Sequence, residues 1–360
     1  MKSSNVAALD MNALETVALE EANVYLDKTF SDFTPPESDT VYQKCVFTDV
    51  NFNGLSIKNC TFIQCDFTAT PFSNCSIKGC NYVECEISNS GFVDCELDEV
   101  SFQLCDMNDV VIHNTSLKRC GFTKVKSNGL TCIENSLQSV SLVKCDFDLV
   151  VWQKVASTNC CFIEIDFSRW EISEPTFIQC LFLNVTIKDK IWSGIDFHGS
   201  NFQSGSLENL QLEHCDLSGV NFCQAEINGC QFLEANLQNA VLANASIQSS
   251  SLKRCDLTNS NSDSAQWQAS EVSHCKADNS WWGKSVIIKS RFDNNQFEYS
   301  NWSYAEVQSS KFTDNNFTNA NHHQLTTFDS IFEHNSCEGL HATSHVLAER
   351  EARARRYGVL

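Results

Sequence analysis

Cys60-Thr61-Phe62-Ile63-Gln64 is followed directly by Cys65-Asp66-Phe67-Thr68-Ala69, and the likeness of the two units decides the fold. Each has a small residue first, an aromatic residue third and polar or aliphatic residues elsewhere. Outward from this pair the five-residue step persists. Twenty-two of the 25 phenylalanines fall in one class modulo five, from Phe47 to Phe332, with Phe30, Phe33 and Phe328 outside it. Sixteen of the 20 cysteines stand two residues earlier in the same frame, among them Cys45, Cys60, Cys65, Cys255 and Cys275. From 47 to 337 the frame runs through 59 central positions without insertion or deletion, and 51 hold large apolar side chains. The exceptions are Ser127, Cys132, Ser157, Ser262, Ala277, His322, Thr327 and Cys337.

A period of five fits neither the 3.6 of a helix nor the alternation of a simple strand. It requires a chain that turns a corner every five residues, with one large and one small side chain pointing inward on each side. Four sides close a square coil of 20 residues, and coils stack by parallel β-type hydrogen bonds. Repetition of this kind specifies an all-β solenoid, whose units bury their apolar faces only against neighbours. Fifty-nine units give about 15 coils, a rod ~70 Å long at ~4.8 Å per stacked strand.

The units quoted above, with Cys215-Asp216-Leu217-Ser218-Gly219 and Ala235-Asn236-Leu237-Gln238-Asn239, resemble the pentapeptide-repeat family over residues 45–339. The resemblance implies a right-handed quadrilateral β-helix. Residues 1–44 are expected to form a helical N-terminal cap and linker. Met11, Leu14, Ala18, Ala22 and Tyr25 recur at helical spacing after Asp10, and Pro35 and Pro36 mark the linker. Residues 340–360 are expected to form a helical tail, with Val346, Leu347 and Tyr357 apolar and Arg350, Arg353, Arg355 and Arg356 late in it, where cations suit the helix dipole. Both segments would cover strand edges that otherwise invite end-to-end association. By the resemblance, the tail also serves for homodimerisation.

The frame makes most cysteines small inward residues stacked in columns, as with Cys45, Cys65, Cys85 and Cys105. Parallel stacked vectors suit neither a disulfide nor a tetrahedral metal site. Cys161 and Cys223 lie at outward positions and are the candidate reactive thiols. His322 and His323 are adjacent and face opposite ways, so no metal is expected there. Trp170, Pro175 and Lys190 occupy slots meant for small residues, predicting a bulge near 168–195.

Acids outnumber bases 45 to 25, for a net charge of −20, which disfavours direct nucleic-acid binding. No apolar run reaches a membrane span and no secretory signal is evident, so membrane insertion is not expected. The expected compartment is a reducing cytoplasm, or export by a dedicated system that uses no signal peptide. An uninterrupted frame leaves no long loops for a catalytic pocket. No catalytic residue, cofactor or metal is expected, and the protein is read as non-enzymatic.

The outer surface therefore carries the function. Side one, residues 45–49, 65–69 and onward, has a net charge of −9. Its candidate partner-binding acids are Asp49, Asp66, Glu86, Asp106, Asp109, Asp146, Asp148, Asp166, Asp189, Glu208 and Glu226. Sides two and three each carry −4, and side four, through 60–64 and 80–84, is neutral. Side four presents a candidate apolar surface of Val83, Ile163, Leu183 and Cys223, with Trp281 and Tyr304. Two roles follow. One is a protein-binding scaffold, which the resemblance extends to an adaptor or effector of a bacterial secretion system. The other is a DNA mimic. Some family members bind type II topoisomerases such as gyrase and protect them from inhibitors, and the stretch 272–279 (VSHCKADN) is similar to parts of the quinolone-resistance branch. The charge density is low for such a mimic: about one net unit per ~4 Å of rod, against one per ~1.7 Å of duplex.

Overall fold

In the computed structural model the chain winds into a parallel β-solenoid of about 15 coils. The structure describes residues 23–30, 38–47, 50 and 52–356. Neighbouring coils pair at an offset of 20 residues, as where Ser101–Gln103 lies beside both Asn81–Val83 and Gly121–Thr123. Equivalent side chains therefore stack in columns. Phe62, Tyr82, Phe102 and Phe122 lie ring on ring, with centroids 4.9–5.0 Å apart.

The square cross-section depends on the fifth residue of each side. Every such corner from 54 to 339 except Arg169 has a positive φ, between 46° and 87°. A left-handed L-residue costs roughly 1–2 kcal/mol, so the corners persist only because both adjoining coils hold them. The corner N–H reaches across to the next coil, as Asn59 does to the Lys78 carbonyl at 2.9 Å and Gln64 to that of Val83 at 2.9 Å.

Sides come in two kinds, a distinction absent from the five-residue pattern. Strand-type sides pair three residues with each neighbouring coil. Turn-type sides make a single bridge and then close a tight turn, in which the slot N–H donates to the central carbonyl three residues back (Ala225 to Phe222, 3.0 Å). The left-handed third residue and this bond are those of a type II turn. In the first half, sides two, three and four are strand-type; from about residue 195 onward sides three and four become turn-type.

This difference explains where cysteine occurs. All sixteen slot cysteines follow strand-type sides, where no turn consumes the slot N–H. Where the next slot holds an acceptor, that N–H can donate instead to its side chain, as Cys75 does to Cys95 Sγ at 3.4 Å and Cys230 to Ser250 Oγ at 3.0 Å. The slot side chain in turn donates back to a carbonyl 23 residues earlier, as from Cys75 Sγ to Phe52 at 3.1 Å. Cys, Ser, Thr and Asn all fill this role, so the cysteines are hydrogen-bonding spacers as well as apolar filler. None forms a disulfide. Burial pushes Cys132 up to about 12 and Cys120, Cys145 and Cys230 to about 11, keeping them as thiols.

Three expectations change in detail. The N-terminal helix falls on residues that largely lie outside the described ones. Tyr25, assigned to it, instead stands in a strand, Asn23–Leu26, paired with Thr40–Gln43, so residues 23–30 and 38–44 belong to the solenoid. That first coil is offset by 17 residues rather than 20. Phe30 therefore stacks on Phe47 at 4.7 Å although it breaks the frame. The anticipated bulge is a seam: no strand pairing joins Glu171–Ser173 to Ile191–Ser193. Trp170 is buried, and the Lys190 ammonium donates to the carbonyls of Ser168 (2.6 Å) and Trp170 (2.9 Å). Burial pushes this lysine down from its ordinary value. The C-terminal helix, His345–Arg356, begins at Ser344, which caps the Leu347 N–H.

Where the aromatic stack lapses between Phe122 and Phe147, an apolar void of about 30 Å³ remains, lined by Leu117, Leu130, Cys132, Leu137 and Leu142 among others. Cys132→Leu is expected to fill it and raise stability by about 1 kcal/mol in urea unfolding. Ser157→Ala, which removes a buried hydroxyl without a hydrogen-bond partner, should be neutral or stabilising.

Candidate interaction surface

The coil register brings the side-one acids into ladders. Asp66, Glu86 and Asp106 follow one another at single-coil spacing, but Lys126 stands next in the same column, before Asp146. Several of these carboxylates serve the fold. On turn-type sides the first outward residue accepts the N–H two residues on: Asp66 from Thr68 at 2.9 Å, Glu86 from Ser88 at 3.2 Å, Asp166 from Ser168 at 2.9 Å. The same bond recurs from Asp196, Asn201, Asp216, Asn221 and Asn301. Asp and Asn are the side chains that make this local contact best. Others are paired: Asp148 with Arg169 at 2.7 Å, Glu208 with Lys188 at 2.8 Å, and Asp189 with the Asn209 amide at 2.9 Å. Asp109 is a left-handed corner, Glu226 is exposed, and Asp49 lies outside the described residues. A depression of about 380 Å³ on this side is lined by Lys126, Asp146, Asp148, Asp166 and Arg169 with Phe147 below. It carries mixed charge rather than a continuous anionic strip.

Side four differs. Its first half is a single sheet of nine strands, from Asn23–Leu26 to Leu181–Leu183. Neither outward position of any of these strands is charged. Gln43, Ile63, Val83, Gln103, Thr123, Val143, Ile163 and Leu183 form one outward column, aliphatic except at Gln43, Gln103 and Thr123, and the other ends in Cys161 and Leu181 after mostly polar or small residues. Val83, Ile163 and Leu183 thus belong to one surface. Cys223, Trp281 and Tyr304 lie farther along on turn-type sides, separated from it by Gln203, Ala243 and Asp263, so the six do not form one patch. Sequence reasoning missed Ile63, Val143 and Leu181. It also missed the opposite sheet, where Val93, Val111, Ile133 and Val151 lie outward on side two. Charge totals by side mixed corners with strand positions and both halves of the rod, which concealed these surfaces.

Cys161 and Cys223 are half-buried, and burial raises Cys161. Cys337, an inward position by the frame, is exposed, and among the described residues no coil covers it. At that end Phe328, Ile331 and Phe332 are open to solvent, and so are Val346 and Leu347 of the helix. A hollow of about 370 Å³ there is lined by Phe317, His322, Leu325, Phe332 and Cys337 among others. The helix lies against the rod through Glu351, which meets His323 at 3.3 Å and Gln324 at 2.7 Å. Among the described residues no cluster of three or more His, Cys, Asp or Glu side chains could hold a metal ion, and no helix is long and apolar enough to cross a membrane.

Two family models match the chain. One, the pentapeptide repeat region, covers residues 38–112, 55–132 and 206–282; the other, pentapeptide repeats (8 copies), covers 191–219. Together they span just over half of the residues, and the chain belongs to the pentapeptide-repeat family. Similar solved structures include HetL, a pentapeptide repeat protein involved in heterocyst differentiation regulation in the cyanobacterium Nostoc. It is 15% identical over 65% of this chain and 89% of HetL, with a TM-score of 0.22. Full-length QnrB1, a plasmid-mediated fluoroquinolone resistance protein, is 16% identical over 47% of this chain and 98% of its own, with a TM-score of 0.27. No curated protein matches the chain.

His322 takes a central position beside Phe317, ring centroids 5.0 Å apart, and its buried Nε2 has no hydrogen-bond partner. Burial pushes it down to about 4. The unfolded chain takes up this proton near pH 6.5 and the folded chain only near 4, so stability falls as pH drops through that window and levels off below it. The difference amounts to roughly 3 kcal/mol. His322→Leu should lose this component, seen as a smaller drop in unfolding free energy between pH 7 and pH 4 than in the unsubstituted protein.

Proposed function

We propose that the protein is a non-enzymatic scaffold that binds a protein partner through the uncharged sheet on side four of its N-terminal half. The observation that carries this reading is the absence of charge from both outward positions of all nine strands of that sheet, from Val24 to Leu183, in a chain with a net charge of −20. A flat, rigid surface ~40 Å long, with one largely aliphatic column and charges confined to its corners, is a costly way to meet water and a good way to meet another protein. The adaptor or effector role implied by family resemblance is one form of this function. The DNA-mimic reading draws less support, since Asp66, Glu86 and Asp166 are engaged by their own turns and Lys126 interrupts the acidic ladder.

A photo-crosslinking residue at position 183 is expected to capture the partner in cells, whereas one at position 66 should not. Ile163→Asp with Val83→Asp should abolish capture with little change in melting temperature. Adducts from position 66 alone would shift the assignment to the acidic side, and inhibition of gyrase supercoiling by the purified protein would then be the next measurement.

The open C-terminal end supports a second element, a two-fold pair of chains. Among the described residues no strand stacks beyond Thr326–Phe328 and Ile331–Glu333, and Phe328, Phe332, Val346 and Leu347 offer apolar area beside those edges. A self-complementary contact at one end closes after two copies. Light scattering should find a dimer, and Phe328→Arg with Ile331→Asp should yield a folded monomer; a monomeric unsubstituted protein would refute the pairing.

A further inference from the structure

A second surface lies in the C-terminal half, at the corner between sides three and four, where two consecutive coils bring Asp278-Asn279-Ser280-Trp281 beside Glu298-Tyr299-Ser300-Asn301. The register is fixed by main-chain contacts. Asn279 N–H donates to the Glu298 carbonyl at 2.8 Å, Glu298 N–H to Asp278 Oδ1 at 3.1 Å, and Trp281 bridges Asn301 in parallel. The two carboxylates are therefore one coil apart, and the two aromatic rings flank the same corner.

The exposure of those rings is unusual in this molecule. Trp281 is 55% and Tyr299 60% exposed, whereas the other six tryptophans are at most 5% exposed. Gly283, the outward neighbour of Trp281 on the same side, adds no side chain there. Among the described residues neither Asp278 nor Glu298 has an ion-pair partner; Glu298 accepts only an uncharged contact, from the Asn316 amide at 2.7 Å. Burial raises the Asp278 carboxyl, and the adjacent Glu298 carboxylate adds to the rise, while the Glu298 N–H and the Lys276 ammonium oppose it. Like charges stacked at this spacing repel, and a cation placed against both relieves the repulsion.

We propose that this corner is a docking point for an arginine-bearing segment of a partner protein, with the guanidinium lying on Trp281 and Tyr299 and donating to Asp278 and Glu298. A guanidinium combines a flat face that stacks on aromatic rings with a fork of donors that matches carboxylates, whereas an ammonium is a strongly hydrated point charge. The occupant follows from charge complementarity: the site is anionic, aromatic and set on a rod that is acidic overall. The inference rests on the scaffold reading only in taking a protein as partner, and it uses the other half of the rod.

The test titrates full-length protein into a fluorescein-labelled ten-residue peptide containing two arginines, and into the same peptide with lysines, at physiological salt, reading polarisation. The arginine peptide should bind about fivefold more tightly or better, the scale of one cation–π contact. Trp281→Ala, and separately Asp278→Asn with Glu298→Gln, should each weaken it at least as much, while Asp146→Asn with Glu226→Gln on side one should not. In the unsubstituted protein the arginine peptide should also shield Trp281 from acrylamide quenching. Equal binding of both peptides, or equal losses from corner and side-one substitutions, would mean only general attraction to an acidic rod and would overturn the proposal. The crosslink at position 183 reports on side four separately, so failure of either idea is recognisable alone.

Discussion

Main-chain hydrogen bonding between coils offset by 20 residues is the constraint on which everything else in this rod depends. A strand N–H cannot find its acceptor within its own side, because the side is only five residues long, so it bonds to the next coil. This fixes the register, and the register turns sequence period into spatial columns. The left-handed corners are tolerated for the same reason: their N–H groups are anchored one coil away, which offsets a conformational cost that an isolated turn of Lys, Glu or Leu could not sustain. Where the bonding fails, the chain shows it. At the seam near Lys190, a side-chain ammonium serves carbonyls that the main chain leaves free.

The coil, its inward centres and the columns of small residues were legible in the sequence because each rests on a single steric rule repeated without interruption. Phe30 was not, because the 17-residue first coil changes phase. The purpose of the cysteines was only half legible. Their size and burial follow from spacing, but their preference for slots after strand-type sides depends on which N–H groups remain unpaired, and that depends on turn type. Turn type itself left a faint trace, the Asp or Asn at the first outward position of sides such as 196–200 and 201–205. In a strongly acidic chain such residues read first as surface charge.

That ambiguity matters for function. Asp66 and Asp166 contribute to a net charge that invites comparison with nucleic acid, yet their carboxylates close their own turns. An acidic column on a turn-type side is therefore explained before any partner is invoked. The same cannot be said of Ile63, Val83, Val143, Ile163 and Leu183. The outward side chains of these side-four strands make no local hydrogen bond, and any polar residue would satisfy the fold there. Uncharged residues repeated down nine strands are accordingly not required by the solenoid.

The two halves of the rod consequently differ in what their surfaces can report. In the first half, strand-type sides two and four leave outward positions free; those on side four carry no charge, and side two mixes Val93, Val111, Ile133 and Val151 with His113, Gln153 and Glu171. In the second half, turn-type sides three and four commit one outward position per side to capping, mostly through Asn and Asp, which leaves the second outward position and the corner as the freer sites. Asp278, Glu298 and Tyr299 occupy just those freer positions, and Trp281 stands where most equivalent positions hold a capping Asn. A tryptophan there gives up the turn contact that Asn301 and Asn321 make in the same column. Its presence has to be explained by what lies outside the coil.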